Sequence, residues 1–210
     1  MSLRDDIVAQ QPVLDRLGEF IFLSNHKVAS TSINRNALKE RALVMKDDKK
    51  VYQQACSKLT DRGLHRVFKF TVVRNPWDRV VSAWAYLRTI SEVSDIHPSM
   101  SFEQFIDHIR NFESNPKVSA RTRKHIDHQH PKILGPDGLL LVDFIGRLER
   151  IRKDWETIAQ RIGNIPHQLP KANQSVRATA AKYYNDHTCE VVARLYQKDI
   201  VLLGYKGPTK

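Results

Sequence analysis

A run of four apolar residues, Phe20-Ile21-Phe22-Leu23, passes directly into the polar stretch Ser24-Asn25-His26-Lys27-Val28-Ala29-Ser30-Thr31-Ser32, and helical spacing follows through about Ala42. The short apolar run predicts a buried strand. Strand, polar turn and helix in that order is the layout that aims backbone N–H groups at an anion. The arrangement recurs. Residues 66–73, rich in Val, Phe and Thr, predict a second strand ending at Arg74-Asn75-Pro76. Pro76 suits the first turn of a helix, where a missing N–H is no loss. Trp77, Val80, Val81, Trp84 and Leu87 then fall at helical spacing. Residues 139–145 predict a third strand, and Leu148, Ile151, Trp155, Ile158 and Ile162 form the stripe of the helix after it. A last helix over about 180–198 precedes the apolar run Ile200-Val201-Leu202-Leu203. Strands alternating with helices predict an α/β fold, three layers with a central, mainly parallel sheet flanked by helices. The three tryptophans lie on the apolar stripes and read as core.

The 210 residues suit one domain, 1–210, with residues 1–19 as a lead-in. Residues 91–138 are the least regular part: one helix over 102–112, then a basic, histidine-rich loop. No apolar run approaches the roughly 20 residues of a membrane helix. MSLRDDIVAQQ does not read as a signal peptide. The two cysteines, Cys56 and Cys189, form no metal pair and are too few for a disulfide scaffold, which predicts a reducing, cytoplasmic setting. The net charge of +11 and pI near 9.8 favour anionic partners: a phosphorylated nucleotide, an acidic glycan or nucleic acid. A nucleic-acid binder would interleave basic residues with exposed aromatics. Here the basic residues are scattered, so no nucleic-acid partner is expected.

The first turn carries Lys27, small side chains and the hydroxyls of Ser30, Thr31 and Ser32. Small residues let a phosphate approach closely, hydroxyls donate to its oxygens, and Lys27 adds a mobile point charge. A plain helix cap by Ser30 or Thr31 would use the same residues. The loop is P-loop-like in position only. A Walker A loop needs GxxxxGK[ST], and no glycine occurs between Gly18 and Gly63, which weakens the reading as a small-molecule or nucleotide kinase. The second turn, Arg74-Asn75-Pro76-Trp77-Asp78-Arg79-Val80-Val81-Ser82-Ala83-Trp84, puts an arginine at a strand's carboxyl end and a serine two turns into the next helix. Arginine forks onto phosphate, and ligands of open α/β sheets gather at such strand ends.

Taken together, these segments resemble the PAPS-dependent sulfotransferases (PAPS is 3′-phosphoadenosine 5′-phosphosulfate), in particular the carbohydrate branch, sulfotransferase family 2-like. Residues 26–32 are similar to that family's 5′-phosphosulfate loop, PKxxxTS, with His26 in place of proline. RNPWDRVVSAW is similar to its 3′-phosphate motif, RNPxDRxxSxx. Phe144-Ile145-Gly146-Arg147-Leu148-Glu149 resembles its IGRxE segment, and residues 169–175 and 199–205 its C-terminal pattern.

The resemblance implies sulfuryl transfer from PAPS to a hydroxyl acceptor, an acidic or polyhydroxyl glycan, with adenosine 3′,5′-bisphosphate as product and no metal. It implies that Lys27, Val28, Ala29, Ser30, Thr31 and Ser32 hold the 5′ end, that Lys27 meets the charge developing on the leaving group, and that Arg74 and Ser82 hold the 3′-phosphate. Ser175 and Arg177 lie where late residues of the family approach that phosphate. Arg147 and Glu149 rank low as catalytic groups. The acceptor hydroxyl must lose a proton, and a histidine suits that near neutral pH. Arg123-Lys124-His125-Ile126-Asp127-His128-Gln129-His130 resembles the family's HWxxQ segment at His125 and Gln129. His125 is the candidate base, with His128 and His26 as alternatives. The same stretch could instead bind an acidic acceptor by charge alone, and a relative that binds PAPS without turning it over would keep the same motifs.

Overall fold

A computed structural model describes residues 20–38, 43–45, 68–135, 137–169 and 179–209. Its regular elements are β1 Phe20–Leu23, a π-helical turn Ser32–Ala37, β2 Leu43–Met45, β3 Phe68–Val73, α1 Pro76–Leu87, α2 Phe102–Ile109, α3 Ala120–Ile126, β4 Phe144–Arg147, α4 Ile151–Ile162, α5 Asp186–Leu195 and α6 Gln197–Leu203. The chain is an α/β fold, as the alternation of elements predicts. It divides into two compact units. One takes in Met1–Asn25, Ala29–Val73 and Pro131–Gln174; the other takes in His26–Val28, Arg74–His130 and Ser175–Lys210.

The first unit holds the sheet, in the order β2-β1-β3-β4 with every pairing parallel. All four residues of β1 are buried, which explains an apolar run without alternation. Phe22 stacks on Phe70 of β3 at 4.9 Å between ring centroids. The chain leaves β1 toward β2 on one side and leaves β3 toward β4 on the other. The topological switch point, where ligands of such sheets bind, therefore lies at the carboxyl ends of β1 and β3. In α4, Trp155 is fully buried and its indole N–H donates to the Pro166 carbonyl at 2.8 Å. Asp154 accepts from the Arg147 N–H at 2.7 Å and fixes the entry from β4.

The third strand lies later than the sequence suggests. Leu139 and Leu140 are exposed, and the chain there folds back on residues 133–135, with the Leu141 N–H donating to Ile133 at 2.8 Å. Pairing with β3 begins only after Asp143, whose carboxylate accepts the Lys69 N–H at 2.7 Å. The apolar run 139–142 gave no hint that a polar residue would mark the strand's entry.

The second unit is helical. Asn75 caps α1 by accepting the Trp77 N–H at 3.0 Å, and Pro76 occupies the first turn. Its core joins Trp77, Val80, Val81, Leu87, Phe102, Phe105, Val192 and Tyr196, with Trp84 packed against it. Residues 91–138 hold two α-helices, α2 and α3, where one was expected; Ser101 and Ser119 supply the caps. Asp95 ties the two together, accepting from His108, Ser119 and Thr122. The expected last helix is three pieces. Asn185 caps a new start, the chain breaks at Tyr196, whose hydroxyl donates to Ile126 at 2.5 Å, and the run Ile200–Leu203 belongs to α6. No helix among the described residues is long and apolar enough to cross a membrane. Residues 1–19, 39–42 and 66–67 lie outside the described residues.

Gly146 on β4 has room for a methyl group and little more: a Cβ there would meet Val72 at 3.4 Å and Ile158 at 3.5 Å. Gly146→Ala should therefore cost little, whereas Gly146→Val should destabilise by about 1–3 kcal/mol through overpacking, read as a drop in denaturation midpoint at unchanged m.

Candidate active site

The turn after β1 is built without glycine. The Asn25 amide donates to Thr71 Oγ1 and to the Val72 carbonyl, both at 3.1 Å, and the Thr71 hydroxyl donates to Leu23 at 2.6 Å. These three bonds close the start of the turn onto β3. The chain then takes two left-handed steps at non-glycine residues, Lys27 at φ 65° and Ala29 at φ 60°, on either side of a fully buried Val28. A left-handed residue with a Cβ costs about 1–2 kcal/mol, and such strain persists only where the surroundings impose it. The Ile33 N–H donates to Ala29 at 3.1 Å, which opens a helical turn. The N–H groups of a first turn have no acceptor in the helix itself, and here they belong to Ser30, Thr31 and Ser32. Ser32 is buried and Thr31 exposed.

The helical unit gathers His26, Lys27, Arg74, Tyr86 and His125. The Arg74 guanidinium donates to the Lys27 carbonyl at 3.4 Å. Its backbone is held on both sides by Gln129: the Arg74 N–H donates to Gln129 Oε1 and the Gln129 amide donates to the Arg74 carbonyl, each at 2.9 Å. Gln129 is fully buried and held in turn by Asp199, which accepts the N–H groups of Gln129 and His130 at 2.8 Å and the His130 ring at 2.7 Å. Burial alone would raise the Asp199 pKa. The His130 ring, the nearby Arg79 charge and the two backbone N–H groups instead hold it below the ordinary carboxylate value.

The Lys27 ammonium sits 4.0 Å over the Tyr86 ring. The His125 ring meets Tyr86 at 4.9 Å and His26 at 5.1 Å, both edge-on. His125 is buried, and its Nδ1 has no hydrogen-bond partner. Burial first, then the charges of His26, Lys27, Arg121 and Lys124, push its pKa down to about 3. The imidazole is therefore neutral at neutral pH, the state a base must start from. His128 lies elsewhere, among Phe112, His130 and Tyr196, with Glu113 at 3.2 Å. Of the three candidate bases, His125 and His26 share the Lys27 corner and His128 does not.

The sequence-derived set is thus partly assembled. Lys27, Val28, Arg74, Ser82 and His125 lie in the helical unit; Ala29, Ser30, Thr31 and Ser32 continue the same turn into the sheet unit. Ser175 and Arg177 lie outside the described residues. Sequence reading missed Tyr86, although it stands one helical turn beyond Ser82 on α1 and shares its face. It also assigned no role to Arg79, which is buried and donates to the carbonyl of Asp127 at 2.6 Å, just past the end of α3. Donor atoms of His128, His130 and Asp199 come within 4.8 Å of one another. The Asp199 carboxylate already accepts three N–H groups there and feels the Arg79 charge, so this group reads as a loop anchor rather than a cation site.

The model of the Sulfotransferase family matches residues 13–206 of this chain. No curated protein and no solved structure matches it.

Two outcomes are expected from this geometry. Ala29→Gly relieves a left-handed Cβ and should leave stability unchanged or raise it by up to about 1 kcal/mol, while Ala29→Val should lower it by about 1–2 kcal/mol; chemical denaturation decides. In the unfolded chain His125 takes up a proton below its ordinary value of 6.5, but in the folded chain only near 3. The unfolded state binds that proton more readily, so stability should fall as pH drops from about 6.5 toward 3. His125→Gln should flatten this slope in a pH series of unfolding curves.

Proposed function

The chain belongs to the sulfotransferase family, and we propose that it moves a sulfuryl group from PAPS to a hydroxyl of an acidic or polyhydroxyl glycan. The observation that carries this reading is the corner where Lys27, Tyr86 and His125 meet on a turn tied to Arg74. Sulfuryl transfer asks for a positioned donor, an aligned nucleophile and charge stabilisation on the leaving phosphate. As the bond from sulfur to the 5′-phosphate oxygen breaks, that oxygen gains negative charge, and Lys27 supplies the nearby ammonium. The acceptor oxygen forms the new bond to sulfur and gives its proton to His125. Ala29, Ser30, Thr31 and Ser32 follow Lys27 in the turn and are assigned the 5′ end; Arg74 and Ser82 are assigned the 3′-phosphate, which anchors the donor without reacting.

A pKa near 3 makes His125 a weak base in the ligand-free protein; burial is the first cause, and the charges of Lys27, Arg121 and Lys124 add to it. PAPS brings several negative charges, which offset those positive charges and raise the proton affinity of His125 as the donor arrives. The donor would thereby create the base it needs. Support for an acidic acceptor comes from the positive charge around His125, where Arg121 and Lys124 act on it, together with the resemblance to the carbohydrate branch. Arg123 is otherwise engaged, its guanidinium bonding the carbonyls of Phe112, Glu113 and Asn115.

Adenosine 3′,5′-bisphosphate at about 100 times its Kd should stabilise the protein by roughly 2.7 kcal/mol in a thermal-shift titration. Arg74→Ala should lose most of that shift. His125→Ala should keep it while turnover drops by about 10²–10⁴-fold. Absence of any shift for the unaltered protein at millimolar product would exclude the donor assignment.

A further inference from the structure

Tyr86 stands between two groups with opposite requirements. Lys27 must stay charged to meet a leaving phosphate; His125 must stay neutral to accept a proton. The ammonium lies over the face of the Tyr86 ring at 4.0 Å, and the imidazole lies against the same ring at 4.9 Å, inclined by 63°. The His26 ring also meets His125, at 5.1 Å and inclined by 76°. The Tyr86 side chain is half-buried on α1, one turn past the buried Ser82. An aromatic face attracts a cation through its quadrupole, and a ring edge suits a neutral imidazole, so one side chain serves both.

The chemical nature of this partner matters. Lysine carries a long stem with much rotamer freedom, which must be restrained if the ammonium is to arrive at one place. A ring face restrains an ammonium through its quadrupole and adds no charge of its own. When phosphate oxygens arrive, their charge-assisted hydrogen bonds outcompete the ring and the ammonium can transfer to them.

On the reading of the site as a sulfuryl-transfer centre, we propose that Tyr86 is a positioning residue of the reaction: its ring face holds the Lys27 ammonium for the leaving group, and its edge-to-face contact holds the His125 imidazole for the acceptor proton. The contacts run through the ring, so phenylalanine should replace it and leucine should not. The effect belongs to the transfer step rather than to donor capture, for which Arg74 and Ser82 are assigned.

The test compares Tyr86→Phe and Tyr86→Leu in the full chain. PAPS is the donor and water the acceptor, with release of adenosine 3′,5′-bisphosphate and sulfate as the readout. Tyr86→Leu should lower kcat by about tenfold while KM for PAPS changes by less than about threefold; Tyr86→Phe should stay within about twofold on both. An NMR titration of the His125 ring gives a readout independent of turnover. Its pKa should stay low in Tyr86→Phe, and rise toward 6.5 in Tyr86→Leu as the covering ring is lost and Lys27 moves off. Tyr86→Leu matching the unaltered protein in kcat and in titration overturns the proposal, as does a Tyr86→Phe variant as impaired as Tyr86→Leu. An unaltered protein that neither releases nor binds adenosine 3′,5′-bisphosphate removes the sulfuryl-transfer reading itself. Those two failures are read from different samples and cannot be confused.

Discussion

Parallel pairing of β1 with β3, with Phe22 stacked on Phe70, decides where the turns after the two strands begin. The two strands run the same way, and Leu23 lies opposite Thr71. Their carboxyl ends therefore emerge at one edge of the sheet, at the point where the strand order reverses. Asn25 reinforces that edge by bonding Thr71 and Val72. From there the chain continues into His26 and Lys27 by one route and into Arg74 by the other, and the Arg74 guanidinium then reaches the Lys27 carbonyl. A phosphate-binding turn in another family would secure its backbone freedom with glycine. Here Lys27 and Ala29, which both carry a Cβ, take left-handed geometry on either side of the buried Val28 instead.

Much of this was legible because it rests on local rules. The apolar run at β1, the Asn75-Pro76 start of α1 and the stripe of α4 each follow from strand or helix periodicity and cap chemistry. The Lys27 turn and the Arg74 helix were legible as strand-end motifs. What escaped depends on tertiary contact. Strand β4 begins at Phe144 because Asp143 pairs with Lys69, a contact across 74 residues. The helix after Asn185 breaks at Tyr196 because that hydroxyl is bound to Ile126, 70 residues away. Helix α3 was read as loop since five of its seven residues are polar or charged, and helix propensity alone does not reveal a Ser119 cap. Tyr86 was passed over for a different reason. Its position marks a helical face, but nothing local says that a lysine from a distant turn will lie on its ring.

The electrostatics of the helical unit are arranged in two layers. The charges of Lys27, Arg121 and Lys124 act on His125. Two buried carboxylates of the unit act elsewhere: Asp78 accepts from Thr209, and Asp199 accepts from the backbone N–H groups of Gln129 and His130 and from the His130 ring. Gln129, a neutral group, is what reaches the Arg74 backbone. A carboxylate in that position would bond the Arg74 N–H but could not donate to its carbonyl, and it would place a negative charge beside an arginine assigned to a phosphate. An amide satisfies both backbone groups and adds no charge.

The same choice restrains the Arg74 backbone without placing a further charge beside it. Fixing that backbone through Gln129, and Gln129 through Asp199, sets a neutral amide between the buried carboxylate and Arg74. At Lys27 the ammonium lies over an aromatic ring. The low proton affinity of His125 has burial as its first cause, and the charges of Lys27, Arg121 and Lys124 add to it. On the reading of the site as a sulfuryl-transfer centre, a bound anionic donor would offset the second cause and leave the first, so that the proton affinity of His125 would rise as the donor arrives.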